Sequence, residues 1–191
     1  MYPMHFNIVM PKMLERRSEL MQQEITWIEC DGGPHILIER KYLKLWKTAK
    51  QEDYEETAQI EEYIGEMRFG TGKCLVLSED IPSSTWFSDN NTSGFIVVIN
   101  YASENAIHEG LKADILYHEF LKIPEAQFTD TNIIYQVTDE VLYLIAACDF
   151  GSGWHYNYCQ FDLMPGNYSI KIIEEYILDG SSFRLFLFKK Q

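Results

Sequence analysis

The sequence predicts an α+β protein, mostly antiparallel β-sheet arranged as a sandwich or two packed sheets, with two or three short helices. Three observations predict it. The second half is a series of short apolar runs (115–123, 133–137, 141–148, 158–163, 168–178 and 183–188), each closed by turn residues such as Thr138-Asp139-Glu140, Pro165-Gly166-Asn167 and Asp179-Gly180-Ser181. Near residue 63 the apolar period changes from helical to two, and Gly70-Thr71-Gly72 then separates two such runs, as in a hairpin. Helical spacing is confined to short stretches.

Taken in order, residues 1–23 carry Met1, Met4, Met10, Met13 and Met21 and read as an N-terminal appendage, with a short helix over 10–23. A single domain follows over 24–191, and any division into two lobes falls near 103–114. Asp31-Gly32-Gly33-Pro34 lies between the apolar runs 25–30 and 35–39. Glycine reaches positive φ and proline then fixes φ, so this punctuation predicts a hairpin-like reversal. Residues 40–49 read as one helix, with Tyr42, Leu43, Leu45 and Trp46 on its apolar side. Residues 53–59 give one or two more helical turns, with Tyr54 and Ala58 inward. After the hairpin at Gly70, residues 79–93 read as a polar loop carrying Pro82 and Trp86. The run 94–101 is a central strand covered on both faces, and 103–112 a capped helix with Ser103 as N-cap.

Of 191 residues, 46% are hydrophobic and 14% aromatic, which excludes disorder by composition. Acids number 29 against 16 bases, a net charge of -13. Nucleic acid and anionic membranes carry the same sign and are disfavoured as partners, whereas a cationic partner is suited. Seven acids (Glu52, Asp53, Glu55, Glu56, Glu61, Glu62 and Glu66) fall within 51–66 with no base among them. No apolar run reaches membrane-spanning length. Cys30, Cys74, Cys148 and Cys159 are isolated and read as reduced packing residues. Met1 to Asn7 lacks the pattern of a secretion signal, so a cytoplasmic location is expected.

Motifs for chemistry fail on spacing. Gly70-Thr71-Gly72-Lys73 has Met67 where a phosphate-binding loop needs glycine. Gly151-Ser152-Gly153 lacks the spacing of a nucleophile elbow. His155 and Cys159, four apart, need further ligands to hold a metal. No catalytic residue, cofactor or metal is therefore expected. The aromatic Trp154, in a glycine-flanked loop with Tyr156, is the one most suited to touching a partner.

The ordered set Trp27, Asp31-Gly32-Gly33-Pro34, Asp53-Tyr54, Ala58, Tyr63-Ile64-Gly65, Gly70-Thr71-Gly72, Leu75-Val76-Leu77, Pro82 and Thr85-Trp86 resembles the immunity protein 21 family of bacterial polymorphic toxin systems. The resemblance covers residues 24–102, with one further turn, Leu163-Met164-Pro165-Gly166-Asn167-Tyr168. It implies a non-enzymatic cytosolic protein that binds and neutralises a cognate toxin domain, for which a basic nuclease is a fitting partner. Candidate toxin contacts are Glu55, Glu56, Glu61 and Glu62 in the first half and Asp139, Glu140 and Asp149 in the second, with Trp154 and Tyr156 as anchors. The alternatives are a small-molecule-binding β protein or small enzyme, and an assembly subunit in which the run 183–188 lies at a sheet edge and exposes one apolar face.

Overall fold

The computed structural model describes residues 26–29, 33–47, 52–78, 81, 83–103, 113–149 and 158–191. Along the chain the strands and helices are β1 (Ile28–Glu29), β2 (His35–Glu39), α1 (Arg40–Leu43), α2 (Glu52–Thr57), β3 (Ile64–Phe69), β4 (Gly72–Leu77), β5 (Ser83–Asn90), β6 (Ser93–Tyr101), α3 (Ala113–Phe120), a 3₁₀ turn (Glu125–Gln127), β7 (Thr129–Val137), β8 (Val141–Ala146), β9 (Tyr158–Asp162), β10 (Gly166–Leu178) and β11 (Ser181–Lys190). They form a six-stranded sheet, β1-β5-β6-β11-β10-β7, and a five-stranded sheet, β3-β4-β2-β8-β9, with every ladder antiparallel. The protein is thus mostly antiparallel β in two sheets with short helices, as its sequence predicts.

Both faces of each sheet are apolar, which sets a layered arrangement. Between the sheets lie Trp86, Ile96, Tyr135, Tyr168 and Phe188 from one side and Leu37, Leu75, Leu144 and Phe161 from the other. Trp86 stacks on Phe161 with ring centroids 4.0 Å apart and planes 6° from parallel. The outer face of the five-stranded sheet buries Ile36, Ile38, Met67 and Val76 under Leu43, Trp46 and Tyr54. The outer face of the six-stranded sheet buries Phe87, Val97, Phe183 and Leu185 under Leu116 and Phe120 of α3. The order across the molecule is helix, sheet, sheet, helix. Both sheets take strands from either side of 103–114, through the β6–β11 and β2–β8 ladders.

Two tight hairpins follow their turn residues. Leu178 pairs with Ser181 across Asp179 (φ 48) and Gly180 (φ 77), the two positive φ values that a type I′ turn requires. Phe69 pairs with Gly72 across Gly70 (φ 53) and Thr71.

Several local expectations are corrected. The turn at 31–34 does not close a hairpin: β1 pairs with β5 in one sheet, and β2 lies between β4 and β8 in the other. All five residues of β2 are buried and both its edges find partners within one sheet, so the chain changes sheets between β1 and β2. The polar loop expected at 79–93 holds strand β5, whose Trp86 is buried. Its buried hydroxyls are satisfied from afar: Thr85 Oγ1 donates to the Thr26 carbonyl at 2.7 Å, and Ser84 Oγ lies 2.6 Å from His35 Nδ1. The strand expected over 115–123 is helix α3, because Leu116 and Phe120, four apart, meet the sheet together. The helix expected over 40–49 is described only as the short α1, after which Trp46 turns in and donates Nε1–H to the Ala147 carbonyl at 3.0 Å. In α2 it is Thr57, not Ala58, that turns inward with Tyr54. The run 183–188 is not at an edge: β11 sits between β6 and β10 with Ser181 to Phe188 buried, which removes the support for an assembly subunit. The N-terminal appendage and the helix over 104–112 lie outside the described residues.

Candidate functional site

The two ends of the sandwich differ in charge. One is the His35 end, where β2 begins; the other is the Glu39 end, where it finishes. Five strand residues at about 3.4 Å each separate them by roughly 17 Å.

At the Glu39 end, Glu39 and Asp139 are tied up, whereas Glu140 and Asp162 have no ion-pair partner among the described residues. Glu39, fully buried, accepts hydrogen bonds from the Thr138 N–H (2.9 Å), the Thr138 hydroxyl (2.7 Å) and the Asp139 N–H, and pairs with Lys41 at 3.3 Å. This fixes the crossing from β7 to β8. Asp139 pairs with Arg40 at 3.2 Å and accepts the Val141 N–H. Nearby along the same sheet, Lys73 pairs with Glu66. On the six-stranded sheet, Glu125 receives both Lys171 and Lys189, and these two ammonium groups hold its carboxyl down to about 2.

At the His35 end the carboxylates stand differently. Glu55 and Glu56 project from α2 and Glu61 and Glu62 from the loop that follows, all exposed. The backbone of this loop is anchored: Ser78 donates its N–H to the Tyr63 carbonyl at 3.2 Å and its hydroxyl to the Glu62 carbonyl. Asp149 follows β8 at the same end, two residues after Ala147, whose N–H donates to the Pro34 carbonyl at 2.9 Å. Burial raises the Asp149 carboxyl above its ordinary range. Across the sandwich, the Tyr63 ring lies 3.9 Å from the Arg184 guanidinium carbon, so β11 meets the acidic loop directly. Opposite Arg184, the ladder of β10 breaks register at Glu174 and Glu175, and Ser182 donates to Glu175 at 3.3 Å. Glu55, Glu56, Glu61, Glu62, Glu174 and Asp179 have no ion-pair partner among the described residues.

Near Glu174, Glu175 and Asp179, at the same end of the six-stranded sheet, are two apolar side chains that the sequence did not single out. Tyr101 and Ile177 both stand opposite Ser182, one on each neighbouring strand, and are 61% and 60% exposed. They are the most open large hydrophobic residues described. The spacing of strands puts them about 10 Å apart across β11.

The sequence-predicted contacts therefore divide. Glu55, Glu56, Glu61, Glu62 and Asp149 share the His35 end. Asp139 and Glu140 lie at the Glu39 end, where Arg40 already holds Asp139. Trp154 and Tyr156 lie outside the described residues, as do Gly151-Ser152-Gly153 and His155. Cys159 faces the core, its thiol pushed up by burial, and among the described residues no three His, Cys, Asp or Glu side chains are grouped to hold a metal. Among the described residues no helix is long and apolar enough to cross a membrane.

Fold and surface together define a class, an antiparallel two-sheet sandwich clad by a helix on each outer face, with a carboxylate-rich end flanked by exposed apolar side chains. The chain belongs to the Immunity protein 21 family, whose match runs over residues 26–175. The match extends well past residue 102, through β7, β8, β9 and most of β10. The protein is accordingly an immunity protein of a toxin system. No curated protein and no solved structure matches the chain.

Proposed function

We propose that this protein binds and neutralises a cognate toxin domain by protein–protein inhibition, docking through the His35 end of the sandwich and acting in the cytoplasm without doing chemistry of its own. The observation that carries this reading is that one end of the sandwich holds Glu55, Glu56, Glu61, Glu62 and Glu174, exposed and without ion-pair partners among the described residues, and also the exposed Tyr101 and Ile177. A field of one sign speeds encounter with a partner of the other sign and rejects wrong partners, while exposed aromatic and aliphatic groups supply the area to be desolvated. The partner is a toxin domain with a basic face, such as that of a nuclease, whose own substrate is anionic.

The test is co-expression with the toxin-like open reading frame beside the gene. Host survival with this chain present, and a complex on gel filtration, is the expected result. Continued killing with no complex overturns the reading. Replacing Glu61 and Glu62 by Lys is expected to slow association about tenfold at low salt, with the effect shrinking as salt is added.

A further inference from the structure

At the His35 end lies an open groove of about 470 Å³ lined by Pro34, Tyr54, Glu55, Thr57, Ala58, Ile60 and Ser78. It is built where α2 leans on the starts of β2 and β3. Gly33, at φ 111, lets α2 come this close, since a Cβ there would stand 2.9 Å from the Tyr54 hydroxyl oxygen. The walls are largely apolar, formed by Pro34, Ala58, Ile60 and the Tyr54 ring. Besides the Tyr54 hydroxyl, which stands against Gly33, the lining polar side chains are Glu55, Thr57 and Ser78, and these three share one character. The Thr57 hydroxyl proton is given to the Tyr54 carbonyl at 2.6 Å, and the Ser78 proton to the Glu62 carbonyl. Both oxygens are left with lone pairs only, and Glu55 is a carboxylate at the exposed lip. Accepting oxygens beside a carboxylate favour a head that donates and carries positive charge, and the side chains that do both at neutral pH are lysine and arginine. Their aliphatic stems suit apolar walls while the charged tip meets the carboxylate.

We infer that this groove seats one long basic side chain of the toxin domain, with its stem along Pro34, Ala58 and Ile60 and its cationic head at Glu55. The inference rests on the toxin-binding reading above and adds to it the anchor on the partner. Charge complementarity is what names the occupant: Glu55 lines the groove, no lysine or arginine does, and the exposed Glu56, Glu61 and Glu62 adjoin its lining residues along the chain. An acidic segment would meet the Glu55 carboxylate there, a like charge.

The experiment measures affinity of the full chain for the toxin domain encoded beside it, with three single variants. Glu55→Lys places a cation at the lip. Ala58→Trp fills the groove from an exposed position, so folding is retained. Glu140→Lys makes the same charge change at the other end. The expected result is a loss of about tenfold or more for each groove variant and less than about threefold for Glu140→Lys. Replacing one lysine or arginine of the toxin surface by Met should then cost wild type the same factor while costing Glu55→Lys little. Wild-type affinity in both groove variants, with binding still lost on changing Tyr101 or Ile177, overturns the groove and leaves the toxin-binding reading standing. Absence of any wild-type complex overturns both.

Discussion

The His35 imidazole Nδ1 lies 2.6 Å from the Ser84 hydroxyl oxygen, joining the first residue of β2 to β5 of the opposite sheet. His35 is fully buried, its Nε2 has no hydrogen-bond partner among the described residues, and burial lowers its pKa from 6.5 to about 4. The neutral ring is therefore part of the fold. In the unfolded chain the same ring takes up a proton near pH 6.5, so acid favours unfolding. Stability from this site is fully present above pH 6.5 and is lost progressively down to pH 4, in total about 3 kcal/mol. Urea midpoints measured at pH 7.5 and pH 5 should differ in wild type, and His35→Leu should remove much of that difference. An unchanged pH slope in the variant would assign the acid sensitivity to other groups.

Gly94 explains a second sensitivity. A Cβ at this position would stand 2.2 Å from the Trp86 ring and 2.7 Å from the Phe87 carbonyl oxygen. The ring cannot retreat, because Phe161 lies flat against it and Phe188 meets its edge at 5.6 Å. Gly94→Ala should therefore cost about 1–3 kcal/mol, the usual range for forcing atoms into a packed core. Chemical denaturation followed by tryptophan fluorescence reads both the stability and the displaced indole. A variant as stable as wild type, with an unchanged spectrum, would show that the sheets can slide apart to admit the methyl group.

These two sites show what the sequence can and cannot carry. The type I′ turn at Asp179-Gly180 and the hairpin at Gly70 are local chemistry, and they are legible. Strand β5 is not, because Ser84 and Thr85 are buried only by virtue of His35, 49 residues away, and Thr26, 59 residues away. Helix α3 reads as a strand since 115–123 is an apolar-rich run, and only the ring packing of Phe120 on Phe183 and Tyr176 favours the helical period. The acids of 55–62 are legible as charge. Tyr101 and Ile177 are not, since apolar residues in strands read as core unless the outline of the opposing sheet is known.

The Glu39 end should be sensitive to stability and not to binding. Glu39 is buried with three hydrogen-bond donors on one carboxylate oxygen, while its Oε1 has no partner among the described residues. Glu39→Ala leaves the Thr138 and Asp139 N–H groups unsatisfied, at a cost of about 3 kcal/mol. Arg40→Ala removes only an exposed ion pair and should cost about 0.5 kcal/mol or less. Equal costs for the two, by denaturant titration, would mean that the crossing from β7 to β8 is held by something other than this carboxylate.

The converse applies to Tyr101 and Ile177. Each is about 60% exposed, so truncation to alanine removes little buried area and should change stability by about 0.5 kcal/mol or less. In a complex the same side chains would be desolvated, and interface anchors of this kind cost about 2 kcal/mol or more when truncated. The two quantities thus separate. Tyr101→Ala and Ile177→Ala should unfold at the wild-type denaturant midpoint yet dissociate from the toxin domain at least about tenfold faster, with association nearly unchanged, because their contribution is contact and not long-range charge. The Glu61 and Glu62 variants should show the reverse pattern, a slower and salt-dependent association with a smaller change in dissociation. If the aromatic and aliphatic truncations leave dissociation untouched while unfolding the protein early, then these side chains support the end of β11 and the docking surface lies elsewhere.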